Sequence, residues 1–356
     1  MRLLGYTLLI VAAIAAYLLL WPVPIEPVAW TPPPLPAAQY PYNEALKPIE
    51  RVAEDVGRGP EGIAIDAAGR IYAGYDDGRV MMFDREGGNG VVLANTGGRP
   101  LGLSFGPRGG VLVADARKGL LLVGGSGAQQ LLAVEAEGVP FRFTDDVDNM
   151  RNGAKVYFSD ASSRFGIHDV MADIIEHRGN GRLLEYDFDT QSTRVLLRDL
   201  QFANGVAVGP DDAYVLVSET GAYRVRRYWL KGEKAGTSDI FIDNLPGFPD
   251  NISYNGKDRF WLALYAPRNP TLDALAPDPF LRKLVFRLPA FLQPGPAKHS
   301  WVLALDLDGK VAANLQYAGS GAYAPITSVR ESDGTLYFGS LTEPAIGRMA
   351  LPQLEQ

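Results

Sequence analysis

No cysteine occurs anywhere in the 356 residues. Disulfides, thiolate zinc sites and a cysteine nucleophile are therefore excluded. Histidine is scarce, with three copies, which leaves little for a histidine-rich metal centre. Positive charge is in deficit: 34 Lys and Arg stand against 41 Asp and Glu, for a formal net charge of -7. That balance excludes nucleic acid as a partner, because neutralising phosphates requires basic surface. A serine-hydrolase elbow is also missing, since GLSFG and GSGAY have the wrong shape for one. The pairs Gly87-Gly88 and Gly97-Gly98 read as turns rather than phosphate cradles.

What is present is an ordinary folding composition, 47% hydrophobic and 21% charged, well outside the disordered range. Glycine (39) and proline (26) are abundant, as many short strands and tight turns require. Residues 3–21 carry no charge, and a helix of that length can cross the ~30 Å hydrocarbon layer. Arg2 precedes this stretch and Lys47 is the next basic residue, so the positive-inside rule places the body on the extracytoplasmic (periplasmic or luminal) side. A cleaved signal peptide is the alternative, but no clear small-x-small cleavage site follows. The expected organisation is a transmembrane anchor over 1–22, a Pro-rich linker and lead-in over 23–50, and one large repeat-built domain over 51–356.

One pattern recurs six times along that domain: EGIAIDAAGRIYAG from Glu61, LGLSFGPRGGVLVAD from Leu101, DDVDNMRNGAKVYFSD from Asp145, NGVAVGPDDAYVLVSE from Asn204, DNISYNGKDRFWLAL from Asp250 and TSVRESDGTLYFGS from Thr327. Each copy reads as two strands joined by a hairpin turn, at Ala68-Gly69, Arg108-Gly109, Asn152-Gly153, Asp211-Asp212, Asn255-Gly256 and Asp333-Gly334. Outer strands such as GRVMMFD, GRLLEYD and YRVRRYWL follow. Four strands per repeat arranged around a ring predict an all-β, six-bladed β-propeller with short helical inserts. A stacked solenoid fits the hairpin turns poorly. The inserts fall at residues 162–180 and 265–294, where Leu281, Leu284, Val285 and Leu288 share one helical face. They either pack on the blades or roof the channel as a lid.

The first strand of each blade lines a propeller's channel, so the six opening residues form a ring: Glu61, Leu101, Asp145, Asn204, Asp250 and Thr327. Three carboxylates and an amide crowded together repel or protonate unless a counter-ion is present. A hard divalent cation resolves the conflict. Calcium, which takes six to eight oxygens, suits the donors best; another divalent cation is the alternative.

The strings PEGIAID, YFSDAS, FANGVAV, YRVRRYWLKG and LPGFPDN resemble the superfamily of gluconolactonase (senescence marker protein), paraoxonase and strictosidine synthase. They are most similar to its strictosidine synthase-like branch, which includes the adipocyte plasma membrane-associated proteins. The resemblance spans about residues 54–351 and is most specific over 202–251. It implies calcium ligation by Glu61, Asp145, Asn204 and Asp250, with Asn251 alongside; Asp145 stands where the family has Asn and adds a charge. The acid–base Glu of true strictosidine synthase falls on Thr327, which argues against amine–aldehyde condensation.

The resemblance implies a calcium-dependent hydrolase of esters or lactones, arylesterase- or lactonase-like, with Asp250 as general base and Asp145 or Asp146 next in line. Asp146 reads better as support for the ligands. His168 and His177 flank the first insert and read as structural unless they reach the channel mouth. The expected substrate is a small ester or lactone, hydrophobic if the apolar inserts line its path. The alternative is a membrane-displayed, non-catalytic binding propeller with structural calcium.

Overall fold

The computed structural model describes residues 2–106 and 109–353. Six four-stranded sheets surround a channel, each ordered from the axis outward. The inner strands are β1 (Ile63–Ile65), β2 (Pro100–Phe105), β3 (Thr144–Asn149), β4 (Ala203–Val208), β5 (Gly247–Tyr254) and β6 (Ser328–Ser332). Five blades use consecutive strands. The sixth borrows its outer strand, Glu50–Val52, from the N-terminal side, pairing Glu50 with Arg348 and Val52 with Ile346. This clasp ties the two ends of the chain together and closes the ring.

Local chemistry sets the hairpins. Asn255 Oδ1 accepts the N–H groups of Lys257, Asp258 and Arg259, and Gly256 takes φ 77°, which a side chain would resist. Arg108 of the expected Arg108-Gly109 turn lies outside the described residues. Blades pack face to face through their alternating apolar side chains. Leu216, Phe260, Leu262 and Trp301 fill one such layer, and Leu112, Val147, Val156 and Phe158 another. Each large apolar side chain so buried contributes about 1.5–3 kcal/mol.

Four inner strands carry the same irregularity. Register shifts between Pro100 and Leu103, Thr144 and Val147, Ala203 and Val206, and Pro249 and Ile252. In each case two residues of the inner strand oppose one of its neighbour, which defines a β-bulge. The opposed residues are Ala114, Ser159, Ser218 and Ala263, all small and fully buried. The bulges fall on Leu101-Gly102, Asp145-Asp146, Asn204-Gly205 and Asp250-Asn251. They interrupt the ordinary in–out alternation at the head of the channel.

The N-terminal helix α1 (Arg2–Leu20) has no buried residue. It is the one described helix long and apolar enough to cross a membrane, and so a candidate anchor. The inserts form α2 (Val170–Glu176), α3 (Pro270–Leu275) and α4 (Pro279–Phe286). Asn269 and Asp278 cap the last two by accepting N–H groups of their first turns, each followed by proline.

The Pro-rich lead-in runs across these inserts as a strap. Ile25 is buried against Phe165, Ala172 and Ile175. Val28 N donates to Glu176 O at 2.9 Å, and Arg268 donates to Pro33 O at 2.6 Å. Proline leaves carbonyls without matching N–H groups, and arginines of the inserts donate to the strap's backbone oxygens.

Candidate active site

The ring expected from sequence assembles at the head of the channel. Glu61, Leu101, Asp145, Asn204 and Asp250 line the floor of one cavity of about 390 Å³. All are buried, the three carboxyls to 4% exposure or less. Thr327, the sixth position, is buried without lining it; its N–H donates to Gly339 O at 2.9 Å.

The second residue of each pair forms a layer beneath: Gly62, Gly102, Asp146, Gly205, Asn251 and Ser328. Glycine is required where its neighbour presses in. A Cβ on Gly102 would meet Asp146 Oδ1 at 2.3 Å, and one on Gly205 would meet Asn251 Cα at 2.5 Å. The polar members are tied. Asn251 Nδ2 donates to Glu61 Oε1 at 2.7 Å. Asp146 Oδ2 accepts Val206 N at 2.8 Å, so Asp146 braces blade three against blade four. One turn of strand deeper, Asp148 Oδ2 accepts Val208 N in the same way.

Three oxygens of the ring and the layer beneath it are buried with no hydrogen-bond partner: Glu61 Oε2, Asn204 Oδ1 and Asn251 Oδ1. The charges are strained to match. Burial, then the nearby Asp146 charge, raises the Glu61 carboxyl to about 7. Burial, then Glu61 and Asp250, pushes Asp145 well above the carboxylate range. Asp250 is raised by burial and by Glu61, against the opposing pull of the Asn204 amide. Asp146 is held at about 7 by burial, which Arg330 and its backbone donors oppose.

A hard cation fits this donor set. It would give the orphaned oxygens a partner and offset the mutual repulsion of the carboxylates. Among the described residues no three His, Asp or Glu side chains stand close enough to chelate an ion by themselves. A cation here would draw on the amide oxygens of Asn204 and Asn251 as well as the carboxylates.

Other features of the site are not visible as sequence motifs. Arg99 is 1% exposed, donates to Gly59 O at 2.9 Å, and its charge opposes the Glu61 shift. It sits in a loop with no periodic signal. Phe143, Phe202 and Phe248 form apolar walls, and Val170, Met171 and Ile174 of α2 with Leu272 of α3 form the roof. The second insert therefore contributes α3 to the roof, while α4 packs outside it. Leu281, on the expected apolar face, is 40% exposed.

No histidine lines the cavity. His168 pairs with Arg117 at 3.1 Å. His177 stacks on Trp30 with ring centres 4.0 Å apart, and burial lowers its pKa to about 3. Ser104 of GLSFG lies within β2 rather than on a strand-to-helix elbow, its hydroxyl donating to Asp148 and Asn149.

Comparison with known proteins agrees with this architecture. A strictosidine synthase family model matches residues 145–233, and a strictosidine synthase-like N-terminal model matches residues 38–83. Adipocyte plasma membrane-associated protein of Salmo salar is 35% identical over 99% of this chain and 89% of its own. Protein strictosidine synthase-like 6 of Arabidopsis thaliana is 40% identical over 84% of this chain and 82% of its own. A gluconolactonase from Xanthomonas campestris superposes with a TM-score of 0.62 at 16% identity, covering 94% of this chain and 99% of that one. Regucalcin from Agrobacterium tumefaciens, described as a calcium-binding protein, superposes with a TM-score of 0.59 at 16% identity, covering 86% and 95%. At such identities the structural likenesses establish the propeller fold. The sequence relatives, matched along almost the whole chain, go further: this protein belongs to the strictosidine synthase-like family that includes the adipocyte plasma membrane-associated proteins.

Proposed function

We propose that this protein is a cation-dependent hydrolase of hydrophobic esters or lactones, with calcium as the cation. The observation that carries the reading is the convergence of Glu61, Asp145, Asn204 and Asp250 on the floor of an otherwise apolar, roofed cavity. A purely structural ion needs no such cavity above it. The lactonase-type fold of the gluconolactonase neighbours supports the same class.

Glu61, Asp145, Asn204 and Asp250 would hold the cation, with the Asn251 amide oxygen alongside, and the Asn251 amide nitrogen positions Glu61. When bound, the ion supplies Lewis acidity toward the substrate carbonyl and its attacking water. The chain does the rest. Phe143, Phe202 and the α2 side chains hold the apolar part of the substrate and exclude bulk water. Asp250, a carboxylate on the floor of the cavity, takes the proton of the water as that water adds to the acyl carbon. The same proton passes to the leaving alkoxide oxygen as the acyl C–O bond breaks. Thr327, fully buried and neutral, offers no carboxylate for amine condensation.

The test is turnover of a panel of aryl esters and lactones by the full chain, with and without a calcium chelator, beside Asp250→Asn. Turnover that requires both calcium and Asp250 supports the proposal. No turnover on the panel, with calcium still raising the melting temperature, replaces it with a binding propeller that uses calcium structurally.

A further inference from the structure

We propose that the segment over residues 280–292 docks on the surface of the bilayer that holds α1. The inference rests on α1 being a membrane anchor and goes beyond the proposed hydrolysis, on which it does not depend.

Three observations carry it. First, the end of the anchor is fixed to this segment. Arg287 donates to Trp21 O at 2.6 Å and Leu18 O at 2.9 Å, and Tyr17 donates its hydroxyl to Arg287 O at 3.0 Å. Arg287 thus caps the last-turn carbonyls of α1, as a cation at a helix C-terminus does. A spanning helix ends at the headgroup layer, so α4 and the segment after it lie there too. Trp21, 60% exposed, stands at the depth where tryptophan concentrates in membrane proteins.

Second, this segment exposes large apolar side chains. Phe291 is 83% exposed, Leu292 57% and Phe280 55%. Third, its charge is opposite to that of the molecule. Residues 279–300 contain no acidic residue, in a chain of net charge -7; Lys283, Arg287 and Lys298 reach the surface, while Arg282 is buried and donates to Ile175 O. Apolar side chains next to isolated basic ones are the composition of a segment that lies in a bilayer interface. Pro294 and Pro296, just beyond Leu292, line the cavity, so the docked segment adjoins it.

The cysteine-free sequence gives a clean test. Single cysteines replace Phe280, Phe291, Lys257 or Val11 in the full chain, each labelled with a nitroxide after reconstitution into nanodiscs of phosphatidylcholine with phosphatidylserine. Lys257 is an exposed turn residue at the opposite end of β5 from Asp250, and Val11 lies mid-anchor. Relaxation by oxygen against a water-soluble nickel chelate reads depth. The expected result is an oxygen-to-nickel ratio several-fold higher at 280 and 291 than at 257, approaching that at 11. Labels at 280 and 291 as wet as 257, with 11 in lipid, overturn the docking and leave the anchor standing. A label at 11 in water overturns the anchor and the docking with it. Labels at 280 and 291 shielded from both reagents assign the patch to a second copy of the chain, which also overturns the proposal.

Discussion

Asn251 donates its side-chain amide to Glu61 at 2.7 Å, joining the fifth blade to the first across the channel head. The two are 190 positions apart in sequence. The bond leaves Glu61 Oε2 and Asn251 Oδ1 free of partners, so one contact both fixes the carboxylate and presents its other oxygen. Asn251→Ala is expected to cost about 1–3 kcal/mol of stability, the penalty for an unpaired buried partner. It is also expected to weaken calcium binding, measured as a smaller calcium-induced rise in melting temperature. A variant of unchanged calcium response would remove Asn251 from the site.

Asp145 separates a ligand from a structural group. Its charge is buried beside those of Glu61 and Asp250, so the ion-free protein gains by losing it. Asp145→Asn is expected to raise the melting temperature in chelator at pH 8 and to lose most of the rise that calcium produces. Calorimetry with and without calcium reads both. A fall in both conditions would make Asp145 a structural hydrogen-bonding residue instead.

The pH dependence follows from Glu61. Its folded-state pKa of about 7 lies above the ordinary 4.5, so the folded protein holds this proton more tightly than the unfolded chain. The associated stability is complete below about pH 4.5 and is lost as the pH rises through 7, on the order of 3 kcal/mol for this group. Asp146, also raised to about 7, acts in the same direction. Chelator-treated protein is therefore expected to melt at a higher temperature at pH 5 than at pH 8. Saturating calcium is expected to flatten or reverse that slope, because it binds the ionised carboxylates. Denaturant melts at the two pH values, with and without calcium, check it. Equal slopes would show that the ion does not bind these groups.

Gly205 tests the bulge itself. An added methyl would press on Asn251 Cα and Ile252 N, both at 2.5 Å. All are backbone atoms that cannot rotate away. Gly205→Ala is expected to destabilise by about 1–3 kcal/mol, the usual cost of overpacking, and to lower calcium affinity by displacing the Asp250-Asn251 pair. Calcium titration followed by calorimetry separates the two effects. An unchanged calcium affinity would show that the bulge tolerates displacement.

The sequence by itself determined the propeller and the ring. Six copies of one strand–turn–strand pattern are a local, periodic signal, and the residue opening each copy sits at the same height by symmetry. Glu61, Asp145, Asn204 and Asp250 were legible for that reason. The second member of each pair was harder to read. Ordinary strand alternation turns Asp146 and Asn251 away from the channel, and the bulges bring them back. The small residues Ala114, Ser159, Ser218 and Ala263 opposite each bulge are the trace it leaves in sequence. Tertiary structure alone decided the partners. The Asn251–Glu61 bond, the strap over α2 and the seat of α4 against the anchor all join segments far apart in the chain. No local period records such contacts, because they depend on how the ring closes, through Glu50–Val52 pairing with the last blade, and on which carbonyls the prolines leave unpaired.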